Sequence, residues 1–131
     1  MWKGSCLCGE IRYEIDALDT GIEHCHCQTC RKAHAAAFNS SAGVLPEHFR
    51  WLKGEDLLAG YESSPGKIRH FCGRCGSHLV AIIEGYPYWL VRIATLDEDP
   101  GVVPEGHIWL SHSAPWLAYE GDMAHHPEDS E

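Results

Sequence analysis

His24-Cys25-His26-Cys27-Gln28-Thr29-Cys30-Arg31-Lys32 places three cysteines within six residues, in the spacing C-x-C-x-x-C. In an extended segment Cys25 and Cys27 point to one side, because side chains alternate along a strand. A turn at Gln28-Thr29 brings Cys30 back toward them. Three soft donors in so short a span make a metal cradle. They fall one ligand short of the closed tetrahedral shell of a structural zinc. An incomplete shell is what a catalytic zinc needs, since the open position holds water or substrate.

The other cysteines lie in two short pairs, Cys6-Leu7-Cys8-Gly9 and Cys72-Gly73-Arg74-Cys75-Gly76. Two such pairs, each followed by Gly, read as the halves of a closed four-cysteine zinc site. The glycines supply the positive φ that such a turn needs. The two sets account for all seven cysteines, although spacing alone leaves open which pair meets which. The competing use is disulfides, but an odd count leaves a thiol over. Met1-Trp2-Lys3-Gly4-Ser5 also lacks the apolar run of a secretory signal. A cytoplasmic protein with two Zn2+ per chain is therefore expected, because a reducing compartment favours metal over disulfide use of these spacings.

A chain of 131 residues is expected to form one domain, residues 1–122, with an acidic, frayed tail over residues 123–131. Ten Lys and Arg against 19 Asp and Glu give a net charge of −9. That balance argues against nucleic acid and against an anionic membrane surface as partners. No apolar run approaches the length of a bilayer span. The oligomeric state is left open.

Strands dominate the pattern. Glu10-Ile11-Arg12-Tyr13-Glu14-Ile15 alternates strictly and predicts a half-buried strand. Glu23 to Cys27 predicts a second strand that ends at the cradle. Thr29 to Ala37 predicts a short helix capped by Thr29, with Arg31 and Lys32 near its start, the unfavourable end for the helix dipole. Phe38 to Leu45 reads as extended, Pro46 to His48 as a turn, and Phe49 to Leu52 and Leu57 to Glu62 as strands. Ser63-Ser64-Pro65-Gly66 is a tight turn by composition. Lys67 to Phe71 runs as a strand into Cys72. Ser77 to Glu84 and Pro87 to Ala94 read as a core hairpin. His107 to Leu110 is the last strand, and Ser113 to Leu117 reads as extended. The expected fold is mainly β, with several small sheets pinned by a zinc site.

Several motifs occur together. In order they are Gly4-Ser5-Cys6-Leu7-Cys8-Gly9, the cradle from His24 to Lys32, Ser63-Ser64-Pro65-Gly66 to Arg69, and Phe71-Cys72-x-x-Cys75-Gly76-Ser77. Then come Thr95-Leu96-Asp97, Pro104 to His107-Ile108-Trp109, and Ala114-Pro115-Trp116. Over roughly residues 2 to 120 this set resembles the glutathione-dependent formaldehyde-activating enzyme family, which includes centromere protein V. The resemblance implies a β-tent of small antiparallel sheets clamped by a structural zinc, with little helix. It implies that Cys6, Cys8, Cys72 and Cys75 hold that zinc, and that Cys25, Cys27 and Cys30 hold a catalytic one. It also implies a carbon–sulfur lyase activity that forms S-hydroxymethylglutathione from glutathione and formaldehyde. The chain departs from the family pattern twice. The run after Lys32, Ala33-His34-Ala35-Ala36-Ala37, lacks a customary Gly, and His78 stands where Pro is usual.

The chemistry expected is addition of a small thiol to a small aldehyde. A thiol that completes the open shell loses its proton on binding, and the thiolate is the nucleophile; alternatively the metal polarises the carbonyl. His24, His26, His34 and His78 are candidates for a further ligand or a proton shuttle, against a surface or supporting role. Arg31, Lys32 and Arg69 are candidates for attracting an anionic thiol such as glutathione, against plain solvated charge. Trp51, Trp89, Trp109 and Trp116 are expected in the core, and His125-His126 in the unstructured tail. The second class of function is a non-catalytic, zinc-stabilised interaction module. A third cysteine set with an open position favours the enzyme.

Overall fold

The computed structural model describes residues 1–117 and 123–129. The chain forms β1 (Trp2–Ser5), β2 (Arg12–Ile15), β3 (Glu23–Cys25), α1 (Gln28–His34), β4 (Asn39–Val44), β5 (Phe49–Lys53), β6 (Leu58–Ser64), β7 (Lys67–Cys72), β8 (His78–Ile83), β9 (Trp89–Arg92) and β10 (Gly106–Ile108). Short 3-10 turns fall at Pro46–His48, Glu55–Leu57, Ile93–Thr95 and Leu110–His112. Strands β1-β2-β5 make a three-stranded antiparallel sheet. The rest make a sheet in the order β10-β3-β4-β9-β8-β7-β6. Within it β10 runs parallel to β3, and the other pairs are antiparallel. The mainly β architecture expected from the sequence is what the chain adopts.

The two sheets meet over a core of Ile11, Tyr13, Ile15, Val44, Phe49, Leu79, Val80 and Val91. Tyr13 stacks on Phe49 with ring centroids 5.0 Å apart, and its hydroxyl is satisfied by Thr95 Oγ1 at 2.6 Å, as a buried phenol requires. β1 carries Gly4 across the face of that ring, where a Cβ would overlap it.

Register fixes where the cysteines go. Cys25 pairs with Asn39 and Ser41 with Arg92, so Cys25, Asn39, Ser41 and Arg92 share one face of the large sheet. Val91 pairs with Val80 and Val80 with His70, which puts Cys72 on the opposite face with the core. Cys72, with Cys6, therefore belongs to the packed side. The C-x-C-x-x-C cradle belongs to the side covered by α1.

Several local expectations change. β3 ends at Cys25 rather than Cys27. The cap of α1 is Cys27, not Thr29: its sulfur accepts the Cys30 N–H at 3.2 Å. The helix stops at His34, so Arg31 and Lys32 lie in its last turn, the favourable end of the dipole. His107 to Leu110 is not one strand. β10 ends at Ile108, Trp109 takes a left-handed conformation (φ 59°), and Leu110–His112 is a 3-10 turn. Ser113 to Leu117 is not extended throughout, since the Leu117 N–H turns back to the Ala114 carbonyl. Trp51 and Trp89 pack against the core as expected, whereas Trp109 and Trp116 are exposed. Residues 123–129, including His125 and His126, are exposed. The expected domain end at residue 122 lies outside the described residues.

The end of α1 carries a measurable penalty. Ala35 closes the helix at φ 49°, ψ 47°, a conformation that glycine takes freely and a Cβ resists. Ala35→Gly is expected to raise stability by about 1 kcal/mol. The readout is a higher urea midpoint at an unchanged slope, and an unchanged or lower midpoint would refute it.

Candidate metal centres and the cavities beside them

The ligand atoms of Cys6, Cys8, Cys72 and Cys75 all lie within 4.8 Å of one another, and so do those of Cys25, Cys27 and Cys30. The structure thus joins the first and third pairs and leaves the cradle separate. Thiolates held at about 2.3 Å from one ion stand about 3.8 Å apart in a tetrahedron. Cys6 and Cys8 are 3.6 Å apart and Cys8 and Cys72 are 3.9 Å apart. Backbone amides point at the four-cysteine cluster. Ile11 N–H donates to Cys6 Sγ at 3.3 Å, and Arg74 and Cys75 N–H donate to Cys72 Sγ at 3.4 Å each. The donor set and its spacing fit a tetrahedral metal ion.

The three-cysteine cluster is built differently. Cys25 comes from the end of β3, Cys27 from the helix cap, and Cys30 from the first turn of α1. Side chains, rather than backbone alone, attend it. Asn39 Nδ2 and the Nη1 and Nη2 atoms of Arg69 each donate to Cys30 Sγ at 3.8 Å. Arg69 is itself buried at 3 % exposure, with Nε on Ser63 Oγ at 2.9 Å. Three crowded thiols cannot all ionise without a cation among them. Burial, together with the neighbouring Cys30, pushes Cys25 up to about 12. Burial also opposes ionisation of Cys30, yet hydrogen bonds from Cys27, Cys25 and Arg69 hold it below the usual thiol range. A divalent metal removes that conflict by binding all three as thiolates. This cluster fits an ion and supplies three ligands where the other supplies four.

No histidine joins either cluster among the described residues. His26 is buried rather than at the surface, and its Nε2 bonds His107 Nδ1 at 2.8 Å. His24 bonds Ser40 Oγ at 2.7 Å through Nδ1. Both rings pack on Phe38, so they brace the cradle from behind. His34 and His78 meet each other, ring centroids 4.7 Å apart, beneath α1.

Two cavities open beside the cradle. The smaller, about 340 Å³, has Cys27 in its wall, with Lys67, Arg69, Ser63, Trp109 and His112. The larger, about 580 Å³, is lined by residues of α1 including Thr29 and Lys32, and by Tyr61, Arg69, Phe71 and His78 of β6, β7 and β8. Gln28, Thr29, Ser63 and Arg69 border both. Among the described residues, neither wall contains Asp or Glu.

Charge is unevenly spread. Arg31, Lys32, Lys67, Arg69 and Arg92, half of the ten Lys and Arg, sit on α1 or on the sheet face beneath it. The ion pairs among the described residues are made elsewhere, by His48, Arg50, Lys53 and Arg74. Burial first, then the Arg69 charge, lowers Lys67 below the usual lysine range and Arg92 to about 10. Arg92 Nη1 bonds Ser41 Oγ at 2.9 Å, while its Nε and Nη2 have no partner. Of the cations expected from sequence, Arg69 proves to be buried at the cluster and Lys32 lines the larger cavity. Arg31 borders a third, shallower cavity with His112. Arg92 and His112 carry no local motif and come to the site through sheet register and the turn after β10.

Burial, then Arg92 and His78, push His34 down to about 3. The imidazole should therefore stay neutral throughout the range in which a free histidine titrates. Its folded value is below its unfolded one, so its contribution to stability is full above about pH 6.5 and declines as the pH falls toward about 3. Imidazole NMR is expected to show no His34 titration between pH 8 and 5. A midpoint near 6.5 would contradict the buried placement.

A family model described as glutathione-dependent formaldehyde-activating enzyme matches residues 1–112. The solved crystal structure of a Rhodobacter sphaeroides protein is similar in fold, with a TM-score of 0.65 and 24% identity, covering 80% of this chain and 98% of that one. No curated protein matches. The family match spans both cysteine clusters and the cavities between α1 and the large sheet, and the chain belongs to the glutathione-dependent formaldehyde-activating enzyme family.

Proposed function

We propose that this chain is a two-zinc enzyme of the carbon–sulfur lyase type that joins a small anionic thiol to a small aldehyde, as glutathione and formaldehyde are joined in S-hydroxymethylglutathione. The observation that carries the reading is the contrast between the clusters. One has four cysteines backed by the core. The other has three and borders a cavity through Cys27. A zinc with one open position would supply thiol binding and deprotonation there. Cys25, Cys27 and Cys30 would hold it.

The rest of the site serves the organic partners. Lys67 and Arg69 give the smaller cavity a positive wall that attracts an anionic thiol. Trp109, held at its left-handed turn, stands in the wall of the same cavity. In the addition, the thiol sulfur forms a bond to the carbonyl carbon, the carbonyl π bond breaks, and the oxygen takes a proton. His112 is the imidazole in that wall, and it would take the proton the thiol releases and pass it to the oxygen.

The test is X-ray absorption at the zinc edge, titrated with glutathione. The expected result is one added sulfur ligand on one of two zincs. Two fully protein-ligated zincs that no thiol alters would leave a structural module and end the enzyme reading.

A further inference from the structure

We propose that the larger cavity is a binding site for a planar aromatic carboxylate, its ring laid against Phe71 and His78 and its charge toward Lys32 and Arg69. The cavity lies between α1 and the strands β6 to β8 and holds about 580 Å³, within the range of small-molecule sites. Its inner wall is a run of rings. Phe71 and His78 stack at 5.4 Å with planes 28° apart. His34 backs His78 at 4.7 Å from behind that wall, without lining the cavity. A flat ligand extends that run by one more ring, an arrangement that aromatic faces favour over aliphatic contact.

The charge of the ligand follows from the other lining groups. Lys32 and Arg69 border the cavity, and among the described residues no carboxylate does. Lys32 makes no ion pair among the described residues, in a chain whose net charge is −9. Burial lowers His78 below the usual histidine range, with Arg92 and Arg69 adding to it. The ring wall is therefore uncharged near neutral pH and stacks rather than pairs. Ser63 and Thr29 supply hydroxyls at the border shared with the smaller cavity, in whose wall Cys27 stands.

An aromatic acid can arrive free or attached to the reacting thiol. The inference rests on the proposed thiol chemistry only for the second source. The test is calorimetric titration of the zinc-loaded chain with benzoate, cyclohexanecarboxylate, acetate and 3-mercaptobenzoate. Benzoate is expected to bind saturably, about fivefold tighter than cyclohexanecarboxylate, a factor typical of ring stacking, with no saturable heat from acetate. Lys32→Gln and His78→Ala are each expected to weaken benzoate by about threefold to tenfold. Phe71→Leu keeps the apolar volume and serves if His78→Ala melts early. Benzoate binding no tighter than acetate, or unmoved by Lys32→Gln and by the ring variants, overturns the proposal. A gain of about tenfold or more for 3-mercaptobenzoate over benzoate, lost in Cys30→Ser, assigns the ring to the thiol substrate. Equal affinities assign the site to a free acid.

Discussion

Cys72→Ser is expected to abolish the cooperative fold at ambient temperature. Cys72 is fully buried at the end of β7, packed with Leu79 and Val80 in the core cluster. Two backbone amides converge on its sulfur at 3.4 Å. Cys75 joins it from the same turn, and Cys6 and Cys8 from more than 60 residues earlier in the chain, so the ion they would hold ties β1 to the β7–β8 corner. A structural zinc contributes about 10–16 kcal/mol of apparent binding energy to folding. Small domains have only about 5–15 kcal/mol of stability in all. A serine oxygen in place of the thiolate removes a soft donor and leaves a hydroxyl buried against valine and leucine. The expected loss is about 5 kcal/mol or more, read as absence of near-UV circular dichroism and of a cooperative melt. A Cys72→Ser protein that melts like the parent would show that this cluster does not hold the sheets together.

Much of this was legible in the chain. The alternation of Ile11, Tyr13 and Ile15 gave a strand because every second side chain is fully buried against the second sheet. The two cysteine sets were legible because metal ligation constrains spacing within a few residues, a range that sequence shows directly. What sequence hid depends on register and on turns. Arg92 looks like an ordinary charge at the end of an apolar strand; its burial follows from pairing with Ser41 across β9 and β4. The meeting of His34 and His78 needs α1 to lie over β8, and nothing local to either residue specifies that. Trp109 follows two β-forming residues and reads as a strand, yet the chain leaves β10 through a left-handed residue there. The helix cap is hidden in the sequence because a thiol is an uncommon cap acceptor, although Cys27 takes the place that Ser or Asp usually fills.

Cys30→Ser separates the two clusters by consequence. Cys30 is buried at 2 % exposure, but it sits on a seven-residue helix beside two cavities, outside the core cluster. Its loss should remove a ligand from the three-cysteine centre and leave the four-cysteine centre untouched. The local cost is real. Arg69 aims two N–H groups and Asn39 one at that sulfur, and weakening donors to a buried acceptor costs about 1–3 kcal/mol. That is far below the loss expected for Cys72→Ser, so the variant should fold and melt cooperatively a few degrees lower. Bound zinc should fall from two to one per chain by elemental analysis. Any thiol–aldehyde addition should fall by about a thousandfold, because the bound nucleophile and its deprotonation are lost together. If Cys30→Ser unfolds as readily as Cys72→Ser, the third cysteine set is a second structural clamp. If it folds and keeps both metals, the cradle is not a metal site. The separation matters because a single chain then carries one ion for shape and one for chemistry. The side of the large sheet on which each cysteine falls decides which ion does which.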